Sequence, residues 1–104
     1  MVINLNIKDR LTLISILPTS GKIVELIEVM EIVKMIKFSE EERQRVKYKE
    51  DNGRVYWDPS LDIGRDFEFT YEQVGIIKDA VKKLDEEDKV TLSTLDTCLK
   101  FSKL

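Results

Sequence analysis

The sequence predicts an α+β fold, and three observations predict it. Apolar residues recur at helical spacing over residues 7–17, 22–38 and 74–84. An Asn52-Gly53 pair sits between two short stretches that alternate in polarity. Helical and extended segments come in runs and do not alternate, which separates α+β from a parallel α/β sheet. The expected order is a short strand, two or three helices, a three-stranded antiparallel meander, and two C-terminal helices. At 104 residues the chain makes one domain, 1–104, with a modest core.

The elements can be justified in turn. Residues 2–5 read as a short extended entry with Ile3 and Leu5 on one face. Asn6 is placed to cap a helix, and Asp9 three residues later favours its positive end. Ile7, Leu11, Ile14 and Leu17 then form a stripe that Pro18 terminates. Thr19 or Ser20 is the expected cap of the next helix, which begins near Gly21.

That next helix is the most hydrophobic stretch of the chain. Its charges recur at every third position, as Lys22, Glu25, Glu28, Glu31, Lys34 and Lys37. A helix turns about 100° per residue, so these charges wind around it and do not line one face. The expected core stripe is Ile23, Leu26, Val29, Met30, Val33 and Ile36. Val24, Ile27, Ile32 and Met35 are left over on the far side, as a second apolar face for an oligomer or partner.

Ser39 followed by Glu42 is a capping box and predicts one or two further helical turns. Asn52-Gly53 satisfies the positive φ values of a type I′ turn. Counting outward, Asp51 faces Arg54, Glu50 faces Val55, Lys49 faces Tyr56, Tyr48 faces Trp57 and Lys47 faces Asp58. One face of the hairpin collects Val46, Tyr48, Val55 and Trp57, and the other pairs opposite charges, so the register is self-consistent. Phe67 and Phe69 alternate with Asp66 and Glu68 as a third strand. Thr70 and Gln73 make another capping box, ahead of a helix that buries Val74, Ile77, Val81 and Leu84. Thr91 opens the last helix, with Leu92, Leu95 and Leu99 as its expected buried stripe.

Composition removes several function classes. There is no histidine, hence no His-based general base, nucleophile pair or His-bearing zinc site. A net charge of −3 argues against non-specific nucleic-acid binding. The single Cys98 rules out an internal disulfide and sits where a small core residue belongs. Six charges interrupt the apolar run at 22–38, so it is no membrane span, and no secretory signal pattern is visible. The expected location is therefore cytoplasmic.

Candidate sites are few. Thr19-Ser20-Gly21-Lys22 ahead of a helix suggests an anion site, but Ile16 and Ile23 stand where a P-loop needs glycine and Ser or Thr. Asp58, Asp62, Asp66 and Glu68 lack the spacing of a calcium loop. Arg43, Arg45, Lys47 and Lys49 form a basic run beside Tyr56, with Glu50, Asp51 and Asp58 close enough to neutralise much of it. No catalytic residue, cofactor or metal is assigned. Ser20, Lys22, Arg43 and Arg45 are the candidate anion or ligand contacts, and Val24, Ile27, Ile32 and Met35 the candidate interface.

The string Asn6-Ile7-Lys8-Asp9-Arg10-Leu11, the Leu17-Pro18 stop with Gly21, Phe38-Ser39 with Glu41-Glu42, and the hairpin with Trp57 resemble a set of small phage and prophage proteins. The resemblance covers most of the chain through caps, a helix stop and a turn. It implies a phage-encoded accessory protein in a bacterial cytoplasm and carries over no activity. The expected function is thus a non-enzymatic, oligomeric interaction protein that binds a host or phage protein. The alternatives are a nucleotide-binding or sequestering protein and a phage structural or assembly component.

Overall fold

A computed structural model describes residues 1–104. In chain order it contains β1 (Val2–Leu5), α1 (Ile7–Ile16), α2 (Ile23–Ile36), α3 (Glu40–Arg45), β2 (Lys49–Asp51), β3 (Arg54–Tyr56), a 3-10 turn at Pro59–Leu61, β4 (Arg65–Glu68), α4 (Tyr71–Glu86) and α5 (Leu92–Ser102). The mixed α+β class holds. The local signals hold with it: capping boxes form at Asn6–Asp9, Ser39–Glu42 and Thr70–Gln73. In the hairpin Asn52 has φ 50° and Gly53 φ 77°, and Lys49↔Tyr56, Glu50↔Val55 and Asp51↔Arg54 pair as expected.

The three-stranded meander does not form. The strands make two separate two-stranded antiparallel sheets, β1–β4 and β2–β3. β4 pairs with the N-terminal strand, Ile3 opposite Phe67 and Leu5 opposite Arg65. The reason lies in what each strand buries. β1 offers Ile3 and Leu5 to the interior, matching Phe67 and Phe69 of the returning strand, whereas no residue of β2 or β3 is fully buried. Pro59 and its 3-10 turn also carry the chain away from the hairpin. At the entrance to β4, Gly64 lies so close to Asn4 that a Cβ there would fall 2.2 Å from Asn4 Oδ1. The hairpin ladder also stops at Lys49, because Lys47 turns to φ 58° and takes Tyr48–Trp57 and Lys47–Asp58 out of it.

The core lies between the inner face of the β1–β4 sheet and helices α1, α2, α4 and α5, and includes Leu13, Ile32, Ile36, Ile77 and Phe101. Phe69 meets Phe101 edge-on, with centroids 6.1 Å apart. α4 buries Val74, Ile77 and Val81 as its pattern predicts. Cys98 is buried, and that burial pushes its thiol pKa up.

Three helices sit rotated from expectation. α1 buries Ile7, Asp9, Arg10, Thr12 and Leu13, while Ile14 of the expected stripe faces solvent. α5 buries Thr97, Cys98 and Phe101, so Leu92, Leu95 and Leu99 point outward and do not form the buried stripe. α2 buries Val29, Ile32 and Ile36. Its core side is turned by roughly 60° from the expected stripe. Charges placed every third residue leave several equally apolar arcs, and packing against α4 chooses among them.

Candidate interaction surface

The rotation of α2 decides what the helix presents. Of the expected second face, Ile32 is fully buried and Met35 is half-buried against the core; neither forms part of an open surface. Val24 and Ile27 do remain outside, at 76% and 49% exposure. They are joined by two residues assigned from sequence to the core, Ile23 at 79% and Met30 at 50%. Ile23, Ile27 and Met30 fall at i, i+4 and i+7, so they line up as one ridge with Val24 beside it. Glu31 and Lys34 lie on the same exposed side, 3.5 Å apart.

The two ends of α2 are held differently. At the N-terminus the cap is Lys22, not Thr19 or Ser20, and no side chain bonds the free N–H groups. The preceding Gly21 has φ 154°, outside the conformations that most residues adopt. At the C-terminus Arg10 reaches across from α1. Its Nε donates to the carbonyl of Ile36 (2.8 Å) and its Nη2 to that of Lys37 (2.9 Å). The same guanidinium bonds both oxygens of Glu42 on α3, at 2.7 and 3.2 Å, and lies 4.2 Å from the centre of the Phe38 ring. One buried side chain thus ties α1, the end of α2 and the start of α3 together. The Arg10 hydrogen bond and charge hold Glu42 below the usual carboxylate range, with smaller help from the Ser39 N–H and Arg65.

A second buried group adjoins it. Asp9 Oδ1 accepts from Thr97 Oγ1 (2.6 Å), and Oδ2 accepts from Lys100 Nζ and from the N–H of Asn6. This fixes α5 against α1 and explains why Thr97 faces inward and the leucines outward. Sequence reading missed Asp9, Arg10 and Thr97 as interior residues. The available signal was that Thr97, Cys98 and Phe101 form a competing stripe around a large aromatic. Every buried side-chain nitrogen and oxygen in the chain has a partner, so this network is complete as it stands. It holds the fold together, with Lys100 at its solvent-facing edge.

The four anion-contact candidates do not converge. Ser20 and Lys22 precede α2 and Arg43 and Arg45 follow it, and no one of the surface depressions gathers residues of both pairs. Lys22 shares its surface depression with Glu25, Glu28, Glu72 and Asp79, a setting that repels anions. Ser20 lies in a mixed-charge depression of about 640 Å³ with Asp79, Lys83, Glu87 and Lys89. Arg43 lines an open depression with Lys47, Lys49 and Tyr48, bordered by Glu40 and Glu50. The Tyr48 ring is already engaged there: Phe38 packs on it at 5.6 Å, Arg43 sits 5.1 Å from its centre, and its hydroxyl donates to Glu50. Burial, and then the neighbouring Glu50, raises the Tyr48 pKa. Arg45 is exposed and lines none of these depressions.

No group of three or more Cys, His, Asp or Glu is placed to hold a metal ion, and no helix is long and apolar enough to cross a membrane. No protein-family model, curated protein or solved structure matches the chain. The reading of its function therefore rests on the surface itself.

Proposed function

We propose that this chain is a non-enzymatic interaction protein that engages another protein through the exposed ridge of α2. The observation that carries the reading is the row Ile23, Ile27 and Met30 with Val24, four large apolar side chains left in water on one helix. Scattered exposed apolar residues are ordinary; a row at helical anchor spacing marks a surface made to be covered. Covering such side chains contributes roughly 1.5–3 kcal/mol for each one taken fully from water. The phage and host setting comes from the sequence resemblance alone. In that setting the chain acts as an accessory protein of the bacterial cytoplasm on a host or phage target, and self-association belongs to the same reading.

A photo-crosslinking amino acid at position 27 tests it, with the same group at the exposed Glu41 as control. The expected result is a defined crosslinked product from position 27, absent from position 41 and lost when Met30→Glu is added. Labelling from position 27 no more specific than the control overturns the reading.

A further inference from the structure

The two outer edges of the β1–β4 sheet are finished differently. Met1 and Phe69, just outside the two strands, exchange both backbone bonds: the Phe69 N–H donates to the Met1 carbonyl at 2.8 Å, and the Met1 amine to the Phe69 carbonyl at 2.9 Å. Bonded positions alternate along an antiparallel pair, so Ile3–Phe67 and Leu5–Arg65 bond inward as well. The N–H and C=O groups of Val2 and Asn4 then point away from β4, and those of Asp66 and Glu68 away from β1. On the β1 side Lys100 Nζ donates to the Asn4 carbonyl at 3.1 Å. On the β4 side no group of the chain bonds the main chain of Asp66 or Glu68. Both residues are exposed, which leaves two donors and two acceptors in a row on an open edge.

An open strand edge is a template for one more strand, and its side chains decide which. Asp66 and Glu68 stand on the solvent face of the sheet with Val2 and Asn4, so the two strands put two acids and no basic side chain there. Asn4 Nδ2 donates to Asp66 Oδ1 at 2.9 Å, which leaves the charge in place. The Met1 amine reaches Glu68 Oε1 only at 4.0 Å, the limit of an ion pair. Other cations near the sheet are engaged elsewhere. Arg65 turns to the opposite face, over the Phe67 ring and 3.4 Å from Glu42, and Lys100 pairs with Asp9. The same acids oppose a second copy, because β4 against β4 would set Asp66 opposite Glu68 or opposite itself, like charges face to face.

We infer that the free edge of β4 receives an extended basic segment of another protein as a third strand. The two residues of that segment opposite Asp66 and Glu68 share their face and lie on either side of one intervening residue. Lysine or arginine at those two positions pairs with the acids across the ladder, so the segment reads cation, any residue, cation. The main-chain bonds supply the attachment, and the two acids supply the choice of partner. β4 is four residues long, so the association is weak and weakens further with salt. This edge is a separate surface from the α2 ridge and does not depend on it.

Amide hydrogen exchange of the full chain, read residue by residue by NMR, tests this with a short peptide alternating lysine and valine. In the free chain the Phe67 amide is expected to be protected and those of Asp66 and Glu68 to exchange freely. Adding the peptide should slow exchange at Asp66 and Glu68, and the same peptide with glutamate for lysine should not. Glu68→Lys should weaken binding of the lysine peptide roughly 2- to 30-fold, as one cross-strand attraction becomes a repulsion. Glu68→Pro removes an outward N–H without touching the β1–β4 ladder, and should abolish protection at Asp66. Should that variant lose its cooperative thermal transition, the wild type is tested with N-methylated peptides. Methylating one alternate set of peptide nitrogens must then abolish protection, and methylating the other must leave it. Four results overturn the inference: no protection from either peptide, equal protection from both, protection that rises with the concentration of the chain alone, or changes confined to α2. The last would leave the reading of the α2 ridge standing.

Discussion

α1 carries Asp9 and Arg10 into the interior, each 2% exposed, whereas α2, far more hydrophobic in sequence, leaves Ile23 and Val24 mostly in water. Hydrophobicity alone would reverse that arrangement. Bare burial of a carboxylate or guanidinium is costly, and it is offset here because every polar atom of the pair is matched. Arg10 bonds two helix-end carbonyls that would otherwise lack partners, and Asp9 bonds an N-terminal N–H together with Thr97 and Lys100. The α2 ridge has no such partners within the chain. Interior position in this fold follows the availability of complementary groups, and what stays outside shows where the complement is missing.

The largest effect should come from breaking the α1 side of this contrast. Arg10→Met leaves the carbonyls of Ile36 and Lys37 unpartnered and Glu42 with only its longer bonds to Ser39 and Arg65, and should cost about 3–5 kcal/mol. A urea-unfolding midpoint close to that of the wild type would show that the buried pair is dispensable. On α2, Ile32→Ala opens a cavity in the core and should cost roughly 2–5 kcal/mol by the same measurement. Asp9→Asn keeps the shape but weakens the bonds from Thr97 and Lys100, for about 1–3 kcal/mol. Its signature is earlier loss of α5 protection in amide exchange.

Glu42 titrates lower in the folded chain than in the unfolded one, because Arg10 favours its charged form. Its contribution is therefore fully present above the ordinary glutamate value of about 4.3 and is lost as pH falls through the lowered folded value. Glu42→Gln should flatten the acid limb of a stability-against-pH profile, and an unchanged limb would mean other carboxylates control it. The smallest effect is expected from Ile27→Ala, within about 0.5 kcal/mol of wild type. A large loss there would place Ile27 in the core and sink the ridge.

What was legible in the sequence was what short stretches decide by themselves. The Asn52-Gly53 turn fixes its own register, and Asn6, Ser39 and Thr70 cap helices with partners three residues away. The Phe67 and Phe69 alternation likewise gave a real strand. Its partner was not legible, because Ile3 and Leu5 lie more than sixty residues away and the hairpin strands sit next door. The α5 leucines misled for a similar reason. Leu92, Leu95 and Leu99 make a good stripe by spacing, yet the bond from Thr97 to Asp9, 88 residues distant, turns the helix the other way. Of the four residues expected on the far side of α2, Val24 and Ile27 are exposed, while Ile32 is buried and Met35 half-buried, since a three-residue charge period does not say which arc meets α4.

The clamp on α2 also sets how the helix moves. Arg10 and Glu42 secure its last turn, while its first turn has no capping side chain and follows a glycine. Such a helix behaves as a beam fixed at one end, with opening events that grow more frequent toward Ile23. Three of the four ridge residues, Ile23, Val24 and Ile27, lie in that looser half. Under the proposed function, the face that would meet a partner is thus the end of α2 that its own fold holds least, set apart from the buried turn at the other end.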